Sequence, residues 1–215
     1  MERTAFLEKL GVLILPGFLR PSECTELSAE MRRAPQAEAP LSIRGQTQEV
    51  TDARQRSTRR AQVSQETSAG MVKRLLAAKP RVEAFFSRRL ADIVEAPKFL
   101  VYRPGDFFIP HRDVRGPEVD ISHPVIKARR LNLIVLLNAQ AETPAAGEYS
   151  GAALTVYGLI DEPRWRDYGF PVPAVPGSLV VFRADIIHEV APVIEGERYT
   201  VVSRMLDPDF QSPTA

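Results

Sequence analysis

Apolar residues fall into two textures along this chain, with the change near Pro97. Ahead of it they are spaced for helices. Val12 to Leu15 is a short β-branched and aliphatic run that predicts a first strand. Pro21-Ser22-Glu23 opens a helix, with proline near the first helical position and an acid in the first turn. Leu27 and Met31, four apart, give that helix one apolar side. From Arg33 to Gly70 large apolar residues are scarce, while Gln, Arg, Thr and Ser abound. This predicts loop or an exposed hairpin, with about Gln36 to Gly70 the most mobile part for want of apolar anchors. Met71, Leu75 and Leu76 start a second helix, which Pro80 must end or restart. Val82, Phe85, Phe86, Leu90 and Ile93 continue at helical spacing.

After Pro97 short strand-like runs alternate with turn residues: Phe99 to Tyr102, Leu131 to Leu137, Ala152 to Tyr157, Ser178 to Phe182 and Tyr199 to Met205. Leu133, Val135 and Leu137 alternate with Ile134 and Leu136, so this strand is apolar on both faces and expected to be central. Many short strands with Gly and Pro between them predict a β-sandwich or jelly roll. Helices first and strands afterwards predict an α+β fold in which the helices buttress one sheet. The Pro-rich stretch Phe170 to Pro176 reads as a loop.

Composition narrows the classes. A chain of 215 residues fits one well-buried domain and is short for two. Lys plus Arg number 28 against 27 Asp plus Glu, so no global field favours nucleic acid or an anionic membrane. No apolar stretch approaches the roughly 20 residues of a membrane span. The lone Cys24 excludes an internal disulfide and a cysteine-built zinc site, and reads as a buried helix residue. Acids among the first residues and a short apolar run do not make a signal peptide, so a cytoplasmic location is expected.

Three histidines occur, and two stand in a pattern that points to a metal. His111-Arg112-Asp113 follows a strand-like run, and His188 lies 77 positions later beyond another. Alternate residues of an extended segment share a side, so His111 and Asp113 can face one point. A distant histidine then completes a facial triad of two nitrogens and a carboxylate oxygen, which binds one face of an iron(II) ion and leaves positions open. His-x-Asp alone is a weak motif, and a surface histidine beside an acid is the plain alternative. Ten residues beyond His188 comes Arg198, after the turn residue Gly196 and at the head of the last strand. A guanidinium there can fork onto the far carboxylate of a dicarboxylic keto acid, or it can be an ordinary surface ion-pair arginine. His123, before Pro124, reads as exposed and not as a ligand.

The chain resembles the prolyl 4-hydroxylase-like branch of the 2-oxoglutarate and iron(II)-dependent oxygenases. Tyr102-Arg-Pro-Gly105-Asp-Phe-Phe108-Ile-Pro-His111-Arg-Asp113 is similar to that family's Tyr-x-x-Gly-x-x-Tyr-x-x-His-x-Asp block. Arg130 to Asn138 resembles its central strand, and Pro176 to Phe182, His188 to Val193 and Gly196 to Thr200 its closing block. The opening Val12 to Leu19 and the helix carrying Cys24 resemble its first strand and helix, so the likeness runs in order over nearly the whole chain. It implies a double-stranded β-helix (jelly roll, cupin-like) over 98–206, supported by a helical N-terminal part over 1–97, in one domain of 1–215. It implies His111, Asp113 and His188 as iron(II) ligands, Arg198 on the 2-oxoglutarate C5 carboxylate, and Tyr102 as a hydroxyl donor to that co-substrate. Dioxygen is then the second co-substrate, with ascorbate an allowed reductant.

The departures concern the substrate. Phe108 replaces a frequent tyrosine, Ser150-Gly151-Ala152-Ala153 stands where a Gly-Gly pair is usual, and Arg204 falls where many members have tryptophan. Collagen-type members carry lysine in place of Arg198. Relatives that halogenate lack the carboxylate that Asp113 supplies, so hydroxylation or another oxidation is expected. Arg54, Arg56, Arg59 and Arg60 read as a solvated loop or as a segment closing over an anionic substrate. Without interleaved aromatics they do not make a nucleic-acid stacking surface. Trp165 lies in a long loop, either as a packing anchor or as a substrate wall. The primary substrate is expected to be a small molecule or amino acid derivative, with a prolyl residue of a peptide or protein as the alternative. Two other readings are a cupin-type metal dioxygenase without 2-oxoglutarate, which has no need of Arg198, and a non-catalytic sensor module, which has no need of the triad.

Overall fold

The computed structural model describes residues 2–39, 41–42, 49–50, 52, 54–114 and 124–210. In chain order the first elements are α1 (Glu2–Lys9), β1 (Leu13–Leu15), α2 (Pro21–Arg33), β2 (Gln36–Glu38), β3 (Leu41–Ser42), β4 (Glu49–Val50), β5 (Arg56–Ser57), β6 (Arg59–Ala61) and α3 (Gln65–Phe86). There follow β7 (Lys98–Tyr102), β8 (Phe107–His111), α4 (Pro124–Ala128), β9 (Arg129–Leu136), β10 (Tyr149–Gly151), β11 (Leu154–Val156) and β12 (Phe170–Pro171). The last are β13 (Leu179–Arg183), β14 (His188–Val190), β15 (Val193–Gly196) and β16 (Arg198–Leu206).

Two antiparallel sheets face each other. The larger has seven strands in the order β1-β13-β9-β16-β7-β6-β2, and the smaller five in the order β12-β11-β14-β8-β5. Non-sequential neighbours on both sheets are what the double-stranded β-helix expected for this chain requires. The fold is mixed, with helices on one side of the larger sheet. Strand β9 is interior, and its odd and even residues separate as the alternation predicted. Leu131, Leu133 and Val135 face an outer core, while Ile134 and Leu136 face the space between the sheets. The outer core is closed by Cys24, Leu27 and Met31 of α2 and by Met71, Leu75 and Val82 of α3. Helix α1 sits elsewhere: Leu7 joins the cluster between the sheets.

The N-terminal part departs from expectation in two places. Parts of the stretch expected as loop or an exposed hairpin instead join the main sheets as short strands, with β2 and β6 extending the larger sheet beside β7 and β5 pairing with β8. These strands hold two or three residues each, too few for an alternation to show. Residues 40, 43–48, 51 and 53 of that stretch lie outside the described residues. Helix α3 begins six residues before Met71, where Ser64 Oγ accepts the Thr67 N–H at 3.1 Å, and it continues through Pro80 to Phe86. Proline removes one of the many hydrogen bonds of a 22-residue helix, and the buried Leu75 and Val82 on either side hold the two halves to the sheet. The helix stops where Ser87 takes a left-handed φ of 48°, so Leu90 and Ile93 lie beyond it. Of the run expected from Ala152 to Tyr157 only β11 forms, and positive φ at Gly151 and Ala152 separates it from β10 ahead of it.

Candidate active site and metal centre

Sheet register assembles the proposed ligands. His111 ends β8, His188 begins β14, and the two are directly paired across the smaller sheet. Their ring centroids are 4.1 Å apart. Asp113 lies just past β8, where its N–H and that of Val114 both reach the Ala184 carbonyl, at 3.1 and 3.2 Å. The ligand atoms of His111, Asp113 and His188 all fall within 4.8 Å of one another, and among the described residues they are the group that could hold a metal.

Each imidazole is oriented by the chain before it. His111 Nδ1 lies 2.8 Å from the Ile109 carbonyl and His188 Nδ1 3.1 Å from the Ile186 carbonyl. A carbonyl only accepts, so Nδ1 carries the proton and Nε2 keeps its lone pair for a metal. Phe108 stacks on His111 at 3.4 Å, and Phe182 meets His188 edge-on at 5.0 Å. Burial, helped by the neighbouring His188, pushes the His111 pKa down to about 3, and burial also lowers that of His188. Both rings are therefore neutral donors at neutral pH. For Asp113 burial acts upward, but Arg204 foremost and then the histidines hold the carboxyl below the usual carboxylate range.

A small cavity of about 50 Å³ adjoins the triad. Period two along β16 turns Arg198, Thr200, Val202 and Arg204 into it, while Tyr199, Val201 and Met205 enter the outer core. Lys98, Leu100 and Tyr102 of β7 and Ile134 of β9 line it in the same way, and His111 and His188 form part of its wall. Arg198 is 2% exposed and lies over the ring of Tyr102, its partner in the β16–β7 pairing, at 5.2 Å. Arg198 Nε and Thr200 Oγ1 are buried and have no hydrogen-bond partner among the described residues. Buried donors left without acceptors cost free energy unless something fills the space. The far carboxylate of 2-oxoglutarate supplies the acceptors that this pair lacks, so the residues present fit that group.

Several side chains resolve between the alternatives that the sequence leaves open. Arg54 is solvated and pairs with Asp52 at 3.1 Å, as a loop arginine would. Arg56 instead turns inward, lines the cavity and lies over Phe108 at 4.9 Å. Trp165 packs edge-on against Tyr168 at 5.3 Å, which in turn packs on Phe170, and it is not one of the residues that line the cavity. Cys24 is buried, and His123 lies outside the described residues. Thr200, Lys98 and the inward turn of Arg204 escape the sequence motifs, although counting by twos from Arg198 and back from Tyr102 reaches all three.

Comparison with known proteins places this geometry. The family model described as the 2OG-Fe(II) oxygenase superfamily, 2OG being 2-oxoglutarate, matches residues 97–203. A search of curated protein sequences returns no match. Among solved structures, a Pseudomonas putida prolyl-4-hydroxylase aligns with a TM-score of 0.62 at 21% identity, over 95% of this chain and 98% of that one. A Trichoplax adhaerens prolyl hydroxylase, in complex with a hypoxia inducible factor oxygen degradation domain peptide fragment, aligns with a TM-score of 0.62 at 17% identity, covering 96% and 91%. The non-heme alpha ketoglutarate dependent epimerase SnoN from nogalamycin biosynthesis aligns with a TM-score of 0.58 at 17% identity, covering 96% and 82%. This chain belongs to the 2OG-Fe(II) oxygenase superfamily, as an iron(II)- and 2-oxoglutarate-dependent oxygenase with the fold of the prolyl 4-hydroxylases.

Proposed function

We propose that the chain hydroxylates, or otherwise oxidises, an unactivated C–H bond of a small molecule or amino acid derivative. The observation that carries this is the convergence of His111, His188 and the buried Arg198 on one cavity, with Asp113 beside the two histidines. His111 and His188 through Nε2, and Asp113 through a carboxylate oxygen, hold iron(II). Arg198, with Thr200 beside it, takes the C5 carboxylate of 2-oxoglutarate, and the Tyr102 hydroxyl donates to the same co-substrate. Leu100, Ile134, Leu154, Val190 and Val202 keep water from the remaining wall. Iron(II) with 2-oxoglutarate and dioxygen supplies the oxidising chemistry, with succinate and carbon dioxide as co-products.

The likeness to an epimerase from nogalamycin biosynthesis favours a small substrate. The likeness to a prolyl hydroxylase structure with a bound peptide favours the alternative, a prolyl residue of a peptide or protein. Substrate-stimulated succinate release, under iron(II) and oxygen, separates the two. A panel of free amino acid derivatives and a panel of proline-containing peptides are compared. Stimulation by peptides alone would reject the small-molecule reading.

A further inference from the structure

The carboxylate of Asp113 does not present both oxygens to the triad. Oδ2 faces His188 Nε2 at 3.7 Å, whereas Oδ1 accepts from Arg204 Nη2 at 2.7 Å. The main chain of Asp113 is held too, its N–H on the Ala184 carbonyl and its own carbonyl accepting from Arg129 Nη1 at 3.1 Å. Arg129 and Arg204 share Glu95 behind them. Arg129 bonds it in a fork at 2.5 and 3.1 Å, and Arg204 Nε lies 3.7 Å from it. The side chains of Arg204 and Asp113 are 10% and 9% exposed, so the contact is largely shielded from water.

We propose that Arg204 is a positioning residue for the metal centre: by occupying Oδ1 it makes Asp113 meet the metal through Oδ2 alone. This rests on reading the triad as that centre. A carboxylate with both oxygens free can chelate and take an extra coordination position. Three protein donors leave three of six octahedral positions, whereas a chelating Asp113 would leave two. Two suffice for a bidentate keto acid but not for a keto acid and a further ligand together. Glu95 offsets the charge of Arg204, so the guanidinium can stay against Asp113 when a divalent cation arrives. The arrangement is specific in sign. As a mere nearby charge Arg204 would repel a metal, and its loss would tighten binding. As a positioning group its loss loosens binding.

The test uses cobalt(II) alone as probe, titrated into the wild-type protein, Arg204→Met and Arg204→Lys, with circular dichroism and melting of the metal-free proteins alongside. Arg204→Met is expected to bind about 10- to 100-fold more weakly, the range usual for loss of a group that orients a ligand. Arg204→Lys keeps the charge but not the fork, and should fall between, about three- to tenfold weaker than wild type. Equal or tighter binding by a folded Arg204→Met overturns the proposal. Should Arg204→Met fail to fold, Arg204→Lys decides: a loss of threefold or more supports the role, and unchanged affinity overturns it. Wild-type protein that binds no cobalt(II), or binds it equally as His111→Ala/His188→Ala, brings down the metal-centre reading itself, and the role of Arg204 with it.

Discussion

Replacing Arg198 by methionine should move stability in opposite directions with and without 2-oxoglutarate. The guanidinium is 2% exposed, its Nε has no partner among the described residues, and a tyrosine face is its nearest compensation. An apolar side chain of similar length removes a buried charge that lacks a carboxylate among the described residues, and such replacements commonly stabilise by roughly 1–2 kcal/mol. For a chain of 215 residues that is an upward shift of about 2–8 °C in Tm. The same change deletes a charge-assisted, bidentate contact with the co-substrate, worth about 2–4 kcal/mol in a shielded pocket, or about 30- to 1000-fold in affinity. At 2-oxoglutarate of about 100 times the wild-type Kd, the wild-type protein gains about 2.7 kcal/mol. A variant weakened about 100-fold gains only about 0.4 kcal/mol at that concentration. Differential scanning of both proteins with manganese(II), each with and without 2-oxoglutarate, reads all four values. Pyruvate, a keto acid without the far carboxylate, should bind both proteins poorly and to nearly equal extents. An Arg198→Met protein that keeps the full 2-oxoglutarate shift refutes the clamp. One that is destabilised without ligand refutes the claim that the arginine is held ready at a cost.

The metal-free protein should lose stability as pH falls from about 6.5. His111 has a folded value of about 3, below the ordinary value near 6.5, so between those limits the unfolded chain takes the proton and the folded chain does not. The slope is about 1.4 kcal/mol per pH unit for each such histidine, and a urea midpoint that stays flat from pH 6.5 to 4.5 would refute it. Gly196→Ala should cost roughly 2–4 kcal/mol, because φ is +77° there and a Cβ would stand 2.3 Å from the Glu148 carbonyl oxygen. An unchanged Tm would show that the turn into β16 can yield. Ser64→Ala should cost about 1 kcal/mol through loss of the α3 cap, read as a lower urea midpoint.

The sequence carried the centre of the molecule better than its edges. An interior strand such as β9 is covered on both faces, so Leu131 to Leu136 show a nearly unbroken apolar run. His111, Asp113, His188 and Arg198 were legible because each belongs to a short motif next to a strand. Strands β2, β5 and β6 were not, since two or three residues at a sheet edge carry no readable period. Pro80 misled because a local rule about one hydrogen bond was outweighed by tertiary packing of Leu75 and Val82. The inward turn of Arg56 depends on its pairing with Phe108, about fifty positions away, and the contact of Arg204 with Asp113 spans 91 positions. Pairings at that separation exist only once the sheets have closed.

The central claim is that His111, Asp113 and His188 form an iron(II) centre that takes 2-oxoglutarate against Arg198. Its most direct test is an anaerobic titration of the wild-type protein with iron(II) and then 2-oxoglutarate, followed by visible absorption, which reports chelation of the keto acid at the metal. The account predicts a charge-transfer band that saturates at one equivalent of iron(II), is absent from His111→Ala/His188→Ala, and in Arg198→Met needs about 30- to 1000-fold more 2-oxoglutarate to reach half its height. A band of full strength in the double histidine variant, or none in the wild type, would contradict it.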